Sequence, residues 1–232
     1  MIRLTVKIGL SLVLLVVCRV PGLAQTAGER PVHRFEGTIG GLWLGGAGLG
    51  SSTAALRANT TGTPAPFTLF TTESRFGSAP GLDARVGYGL TKRITVELGL
   101  VFSRPELRTH VSDDVENAPA LTVAESVHQY FVDGSVVVLL DRFALGDRTV
   151  PFVTGGAGYL RQLHEGLTLV EIGQVYHVGG GVKHWLVLRD RGFMRGIGVR
   201  VDGRLYVLVN GIELRDRARP HGAISGSLFV TF

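Results

Sequence analysis

Apolar and polar residues alternate along most of the chain after its first 30 or so positions. In the stretch Arg93–Phe102 every second residue is apolar, namely Ile94, Val96, Leu98, Leu100 and Phe102. Successive residues of a β-strand point to opposite faces, so this period predicts a strand with one apolar and one polar face. The same alternation recurs in residues 82–88, 195–207 and 221–232. These four stretches are the clearest predicted strands.

Four further stretches have a weaker alternation. They are Arg34–Gly46, Val123–Leu140, Val150–Leu163 and Gly173–Leu188. Glycine runs blur the period in them and indicate bulges or close approach of backbones. The total is eight predicted strands. Long connections at 47–77 and 105–122 alternate with short ones near Thr91 and at 141–149, an arrangement typical of transmembrane β-barrels.

The apolar alternation has a physical consequence if the strands cross a membrane. Within lipid every backbone polar group needs a partner inside the protein, so a sheet that spans a bilayer must close on itself. Glycine, at 33 of 232 residues, is abundant, and charged residues make up 19%. The sequence therefore predicts an all-β fold, a closed antiparallel transmembrane barrel of eight strands.

The first 24 residues have the features of a secretory signal peptide. Arg3 and Lys7 precede an apolar core at residues 8–17, and a small residue, Ala24, marks the expected cleavage site. The barrel domain is then residues 25–232. Cys18 lies within the signal and does not follow a small residue, so lipid attachment is not expected. Without the signal the formal net charge falls from +5 to +2, which gives no indication of nucleic-acid binding.

Several charged residues occupy the polar parity that the barrel would turn inward. They are Arg85, Glu97, Asp133, Lys183, Arg200, Asp202 and Arg204. An eight-stranded barrel is just wide enough for side chains to fill. Buried charges must be paired, so we expect these groups to form a salt-bridge network that plugs the lumen. The alternative is a narrow path for small solutes through the same polar lumen.

The chain resembles the small eight-stranded outer-membrane barrels, the OmpA-like and OmpX-like proteins. The resemblance rests on the signal peptide, the strand pairs with short turns, and the C-terminal residues Leu228, Val230 and Phe232, which match the family's assembly signal, with Gly226 offset by one position. It implies a bacterial outer-membrane location and contacts with outer-membrane lipids and the barrel assembly machinery. It also implies a monomer with a structural or surface-interaction role. Nothing in the sequence identifies an extracellular ligand.

Motifs that could indicate catalysis are weak. Ser126 and His128 share one face of a predicted strand, but Asp133, the candidate third partner, has the opposite parity. The glycine-rich stretch 45–53 lacks the lysine of a phosphate-binding loop and is interpreted as a flexible exit from the first strand. The seven histidines form no metal-binding motif. We predict no enzyme activity, cofactor or metal; a barrel hydrolase that uses Ser126 and His128 is the catalytic alternative.

A soluble alternative remains open at this stage. A periplasmic lipocalin-like barrel would show the same alternation with the faces reversed, so that apolar side chains line a ligand cavity and the charges face water.

Overall fold

A computed structural model describes residues 35–56, 66–116, 118–164, 170–189, 192–210 and 219–232. The predicted signal peptide and its cleavage site lie outside these residues. In chain order the strands are β1 (Phe35–Leu44), β2 (Ala47–Leu56), β3 (Phe67–Phe76), β4 (Ala79–Gly89), β5 (Ile94–Ser103), β6 (Glu106–Ser112), β7 (Leu121–Ser126), β8 (His128–Leu139), β9 (Thr149–Leu163), β10 (Val170–Leu188), β11 (Gly196–Val209) and β12 (Arg219–Thr231). In these parts of the chain no helix is long and apolar enough to cross a membrane.

Eight of the strands form a closed barrel in the order β1-β12-β11-β10-β9-β8-β5-β4. Each pairs with its neighbours in antiparallel orientation, and β1 closes the ring by pairing with both β12 and β4. The closed antiparallel barrel of eight strands predicted from the sequence is confirmed. Its strands lie within a few residues of the predicted stretches, because strict alternation marks them well.

The barrel has two different ends. At the short-turn end, β4 is joined to β5 across Leu90–Arg93, and β8 to β9 across residues 140–148. At the other end, here called the long-loop end, the chain runs from β1 to β4 through β2 and β3, and from β5 to β8 through β6 and β7. All eight strands therefore run between one end with compact turns and one end with larger structures.

The two faces of the barrel wall differ as the alternation predicts. Apolar side chains point outward: Leu98 is 63% exposed and Ile224 is 67% exposed. Charged side chains point inward, and Arg200 is fully buried. A lipocalin-like barrel would have the opposite arrangement, so the described strands do not adopt it.

A second sheet, of order β2-β3-β6-β7, extends one side of the barrel. Its strands continue β1, β4, β5 and β8, which are neighbours in the barrel wall. The sequence interpretation was wrong here. It made residues 45–53 a flexible exit, whereas Ala47–Leu56 is a strand. It also treated residues 47–77 and 105–122 as connections, although they contain β3 and β6, and it merged β7 with β8. Much of this sheet is exposed on both faces, so its strands lack the alternation that marks a half-buried strand.

The sheet and the barrel are joined by backbone hydrogen bonds and a small apolar cluster. The amide of Gly77 donates to the carbonyl of Glu106 at 2.8 Å, and the amide of Val127 donates to that of Pro105 at 2.9 Å. The buried side chains that pack together at this junction are Leu49, Phe76, Leu107 and Val127. Pairing thus continues from the barrel wall into the sheet with little interruption.

Candidate functional site

The charged positions that the sequence assigned to the barrel interior come together in the lumen. The seven are Arg85, Glu97, Asp133, Lys183, Arg200, Asp202 and Arg204, and none is more than 6% exposed. Their neighbours on the outward face of the same strands are apolar or glycine, apart from His184 beside Lys183, so the alternation of each strand directs the charge inward. The lumen is therefore the candidate site.

The network begins with Glu36 on β1 and Lys183 on β10, which are separated in the wall by β12 and β11. The ammonium of Lys183 lies 2.6 Å from a carboxylate oxygen of Glu36 and 3.8 Å from one of Glu97. Glu97 in turn accepts a hydrogen bond of 2.7 Å from the guanidinium of Arg200. These contacts join strands that are not neighbours in the wall, so they cross the lumen.

From Arg200 the network passes along β11 and across to β4. Arg200 Nε lies 3.0 Å from Asp202, and Arg204 Nε lies 2.7 Å from the same carboxylate. Arg204 also contacts Asp83 at 3.2 Å, and Asp83 contacts Arg85 at 3.0 Å. Each of these carboxylates is shared by two arginines, an arrangement that offsets the cost of burying charge.

The network ends at the imidazole of His177. Arg85 Nη1 lies 3.1 Å from Asp133, and His177 Nε2 lies 3.0 Å from the same carboxylate oxygen. The His177 ring also packs against the ring of Tyr206, with centroids 5.4 Å apart. From Glu36 to His177, acidic and basic residues alternate along one continuous series of contacts.

Three members of this series were not among the predicted site residues. Asp83 already lay on the inward parity beside Arg85, so the alternation alone could have identified it. Glu36 precedes a glycine-rich part of β1 whose parity was blurred in the sequence. His177 lies in β10 among glycines, and a single histidine on an inward parity gives no indication of its partner.

Inward-facing glycines make room for the ion pairs. A Cβ on Gly99 would stand 2.6 Å from Arg85 Nη1 and 2.7 Å from an Asp133 oxygen. A Cβ on Gly156 would stand 2.6 Å from His177 Nε2. The glycine runs that blur the strand period thus have a local reason, since the charged side chains occupy the space that other side chains would fill.

Apolar clusters lie on both sides of the charged layer. Towards the long-loop end the buried cluster contains Leu42, Leu44, Val101, Phe131, Leu160, Val175, Tyr206, Leu208 and Ala223. Towards the short-turn end it contains Val150, Trp185 and Phe229. Cations contact aromatic faces beside this second cluster: the Arg200 guanidinium lies 4.5 Å from the centre of the Phe152 ring, and the Lys183 ammonium 5.6 Å from that of Phe229.

The structure separates Asp133, the candidate third partner, from Ser126 and His128. The His128 ring stacks on Phe102, and among the described residues its Nδ1 has no hydrogen-bond partner. Asp133 is bound to Arg85 and His177 inside the barrel, while Ser126 and His128 flank Val127 at the start of β8. In the described parts of the chain no three histidine, cysteine or acidic side chains group in a way that could hold a metal ion.

The residues of the C-terminal motif lie at the end of β12. Leu228 points outward and is 56% exposed, and Val230 lies on the same face. The amide of Phe232 donates to the carbonyl of Phe35 at 2.9 Å, and its ring packs against Phe193. The last strand is thus joined to the first up to the end of the chain.

No protein-family model matches the chain, and no curated protein matches it. Among solved structures it is similar to the crystal structure of Neisserial surface protein A, with 13% identity, 85% of this chain and 97% of that chain covered, and a TM-score of 0.51. OprG from Pseudomonas aeruginosa matches at 11% identity, 86% and 97% coverage and a TM-score of 0.45. Ail from Yersinia pestis matches at 9% identity, 86% and 99% coverage and a TM-score of 0.38.

The first of these likenesses concerns the fold, because identity is low and the TM-score is above one half. The chain has the fold of the small eight-stranded outer-membrane barrels, as the sequence resemblance predicted. The charged lumen and its glycines are features of this chain's own residues.

Proposed function

We propose that the protein is an integral outer-membrane barrel with a lumen closed by its own side chains and a structural or surface-interaction role. The observation that carries the proposal is the contrast between the two faces of the wall. Apolar side chains face outward on all eight strands, while the ionisable side chains of the lumen are paired between two apolar clusters. In a barrel surrounded by water we would expect the opposite arrangement, with the charged side chains exposed and the apolar side chains buried.

The outer-membrane location is supported by the fold, by the predicted signal peptide at residues 1–24, and by the C-terminal residues Leu228, Val230 and Phe232. In this proposal the assembly machinery recognises that last strand, and the finished barrel contacts outer-membrane lipids. We propose a monomer, because a closed barrel leaves no wall strand without a neighbour. We propose neither enzyme activity nor a role in binding nucleic acid.

Gel migration tests the membrane barrel. The membrane-extracted protein, run with and without boiling in mild SDS, should change its apparent mass on heating, because a closed barrel resists the detergent until its pairing is broken. Recovery of an unshifted protein from the soluble periplasmic fraction would contradict the proposal.

Conductance in planar bilayers tests the closed lumen. We expect no channel activity above background from protein whose heat-dependent gel shift shows that it is folded. Regular single-channel steps from the same preparation would contradict the plug and support the narrow pore instead. Conductance is also measured on Phe229→Ala. This variant lacks one ring of the short-turn cluster but keeps the ion pairs.

A further inference from the structure

The apolar outward face of the barrel carries one charged residue on its described side chains. On the described side chains of the eight barrel strands, that face has one arginine, Arg161 on β9, and no lysine, aspartate or glutamate. Leu160 and Gln162 on either side of it are 1% exposed, so the strand's alternation turns Arg161 outward. Among the described side chains of this face, Arg161 therefore has no acidic neighbour with which to pair.

The register places Arg161 among aromatic side chains near the long-loop end. It lies directly opposite Tyr130 on β8 and Ile172 on β10. Tyr159, two residues earlier on the same face, is 44% exposed. Tyr130 packs against Phe102 with ring centroids 5.0 Å apart. These rings form the kind of aromatic belt that lies at a membrane–water boundary.

A second arginine lies on the same side of the barrel. Arg104 follows the last residue of β5 and is exposed, two positions beyond the outward-facing Phe102. One strand, β8, separates β5 from β9, and Arg104 lies two residues beyond the level of Phe102, Tyr130 and Arg161, so the two arginine backbones are about 12 Å apart at the usual strand spacing and rise. Within the described residues neither arginine forms an ion pair. Both side chains are long enough to reach towards the space above Tyr130.

Energetics favour an anionic partner at this level. An arginine on the lipid face costs about 2–4 kcal/mol at the membrane midplane and about 0–1 kcal/mol near its edges. The belt therefore places Arg161 where headgroups begin. Guanidinium groups match phosphate oxygens with paired hydrogen bonds, whereas zwitterionic headgroups offer the phosphate together with a competing cation.

We propose that Arg161 and Arg104, with the phenol of Tyr130, form a surface that holds the phosphate of an anionic lipid headgroup in the leaflet at the long-loop end of the barrel. The proposal rests on the membrane location given under the proposed function. It adds a partner of defined chemistry and a place on the wall to which that partner binds.

Native mass spectrometry of the detergent-solubilised protein tests this surface, with phosphatidylglycerol and phosphatidylcholine of identical acyl chains as probes. We expect phosphatidylglycerol to bind about tenfold more tightly, the size of one good charge-assisted contact. Arg161→Gln should remove that preference. Arg142→Gln is the matched control, since Arg142 is an exposed arginine at the short-turn end, and it should leave the preference unchanged.

The outcomes separate the possibilities. An unchanged preference in Arg161→Gln overturns the proposal, and displacement of the lipid by inorganic phosphate overturns the lipid as its source. If Arg161→Gln does not show the heat-dependent gel shift of a folded barrel, Arg161→Lys and Arg104→Gln replace it. The first should keep the preference and the second should weaken it several-fold; no difference between them overturns the proposal. Channel activity would contradict the closed lumen without changing any of these lipid results.

Discussion

The barrel and the four-stranded sheet both consist of antiparallel strands, and both contain buried apolar side chains. The interior of the barrel and the sheet are nevertheless stabilised differently. In the lumen, ion pairs lie between apolar clusters and connect strands from opposite sides of the wall. In the sheet, the four-residue cluster lies at the junction, and beyond it Leu121 is 60% exposed and Val123 is 52% exposed. Because the barrel is closed, the charged side chains of the lumen are both paired and buried. The open sheet depends on one small cluster, so stability should differ between the two regions.

The largest expected effect is on the ion pairs in the lumen. Arg200→Met takes one partner from Glu97 and one from Asp202 and leaves both carboxylates buried. We expect the free energy of unfolding to fall by about 3–5 kcal/mol, the usual cost of breaking a buried pair from one side. Urea unfolding in phospholipid vesicles, followed by the heat-dependent gel shift, measures it.

Arg93→Gln is the control for Arg200→Met. It breaks the pair of Arg93 and Asp141, which are 3.1 Å apart at the exposed short-turn end. Exposed pairs contribute about 0–1 kcal/mol, so the change should be small. Equal losses in the two variants would show that the lumen is hydrated and that burial does not distinguish these pairs.

A smaller effect is expected from the glycines that face the ion pairs. Gly99→Ala places a methyl group within 3 Å of Arg85 and Asp133, and moving their paired ends apart should cost about 1–3 kcal/mol of unfolding free energy. Gly134→Ala is the matched control, because a Cβ there points outward and has no neighbour within 4 Å among the described atoms. The same unfolding measurement should show little change for Gly134→Ala. A loss as large as that of Gly99→Ala would mean that lumen space does not set the cost, because alanine is otherwise the better strand residue.

The smallest effect on the barrel is expected from a change in the sheet. Leu107→Ala removes one of the four side chains of the junction cluster, so the sheet should open locally while the barrel keeps its pairing. Hydrogen exchange should become faster at the amides of Thr109 and Val111, whereas those of β11 should stay protected. The temperature of the gel shift should stay within a few degrees of that of the unmodified protein. A large fall in that temperature would show that sheet and barrel unfold as one unit.

The sequence predicted the barrel well because lipid-facing strands alternate strictly. Leu98 beside Glu97, and Val201 beside Arg200, reveal both the strand and its inward face. The same reasoning missed β2, β3 and β6, since strands that meet water on both faces carry polar residues in no fixed period. It also passed over Arg161, whose charge breaks the apolar parity of β9. Partner choice within the lumen could not be derived, because parity gives a side chain's direction and not the strand that it meets across the barrel.

The cross-lumen contacts also bear on the order in which the barrel assembles. Lys183 and Glu36 are 147 positions apart in the chain, and Arg200 and Glu97 are 103 apart. Neighbouring strands can pair as hairpins before the ring exists, but these charges meet only when β1 reaches β12. Until then they need water, and contacts between such distant residues form late because of the entropy of the intervening chain. Desolvation of the lumen and closure of the wall should therefore be one cooperative step, and a half-built barrel should keep its interior wet.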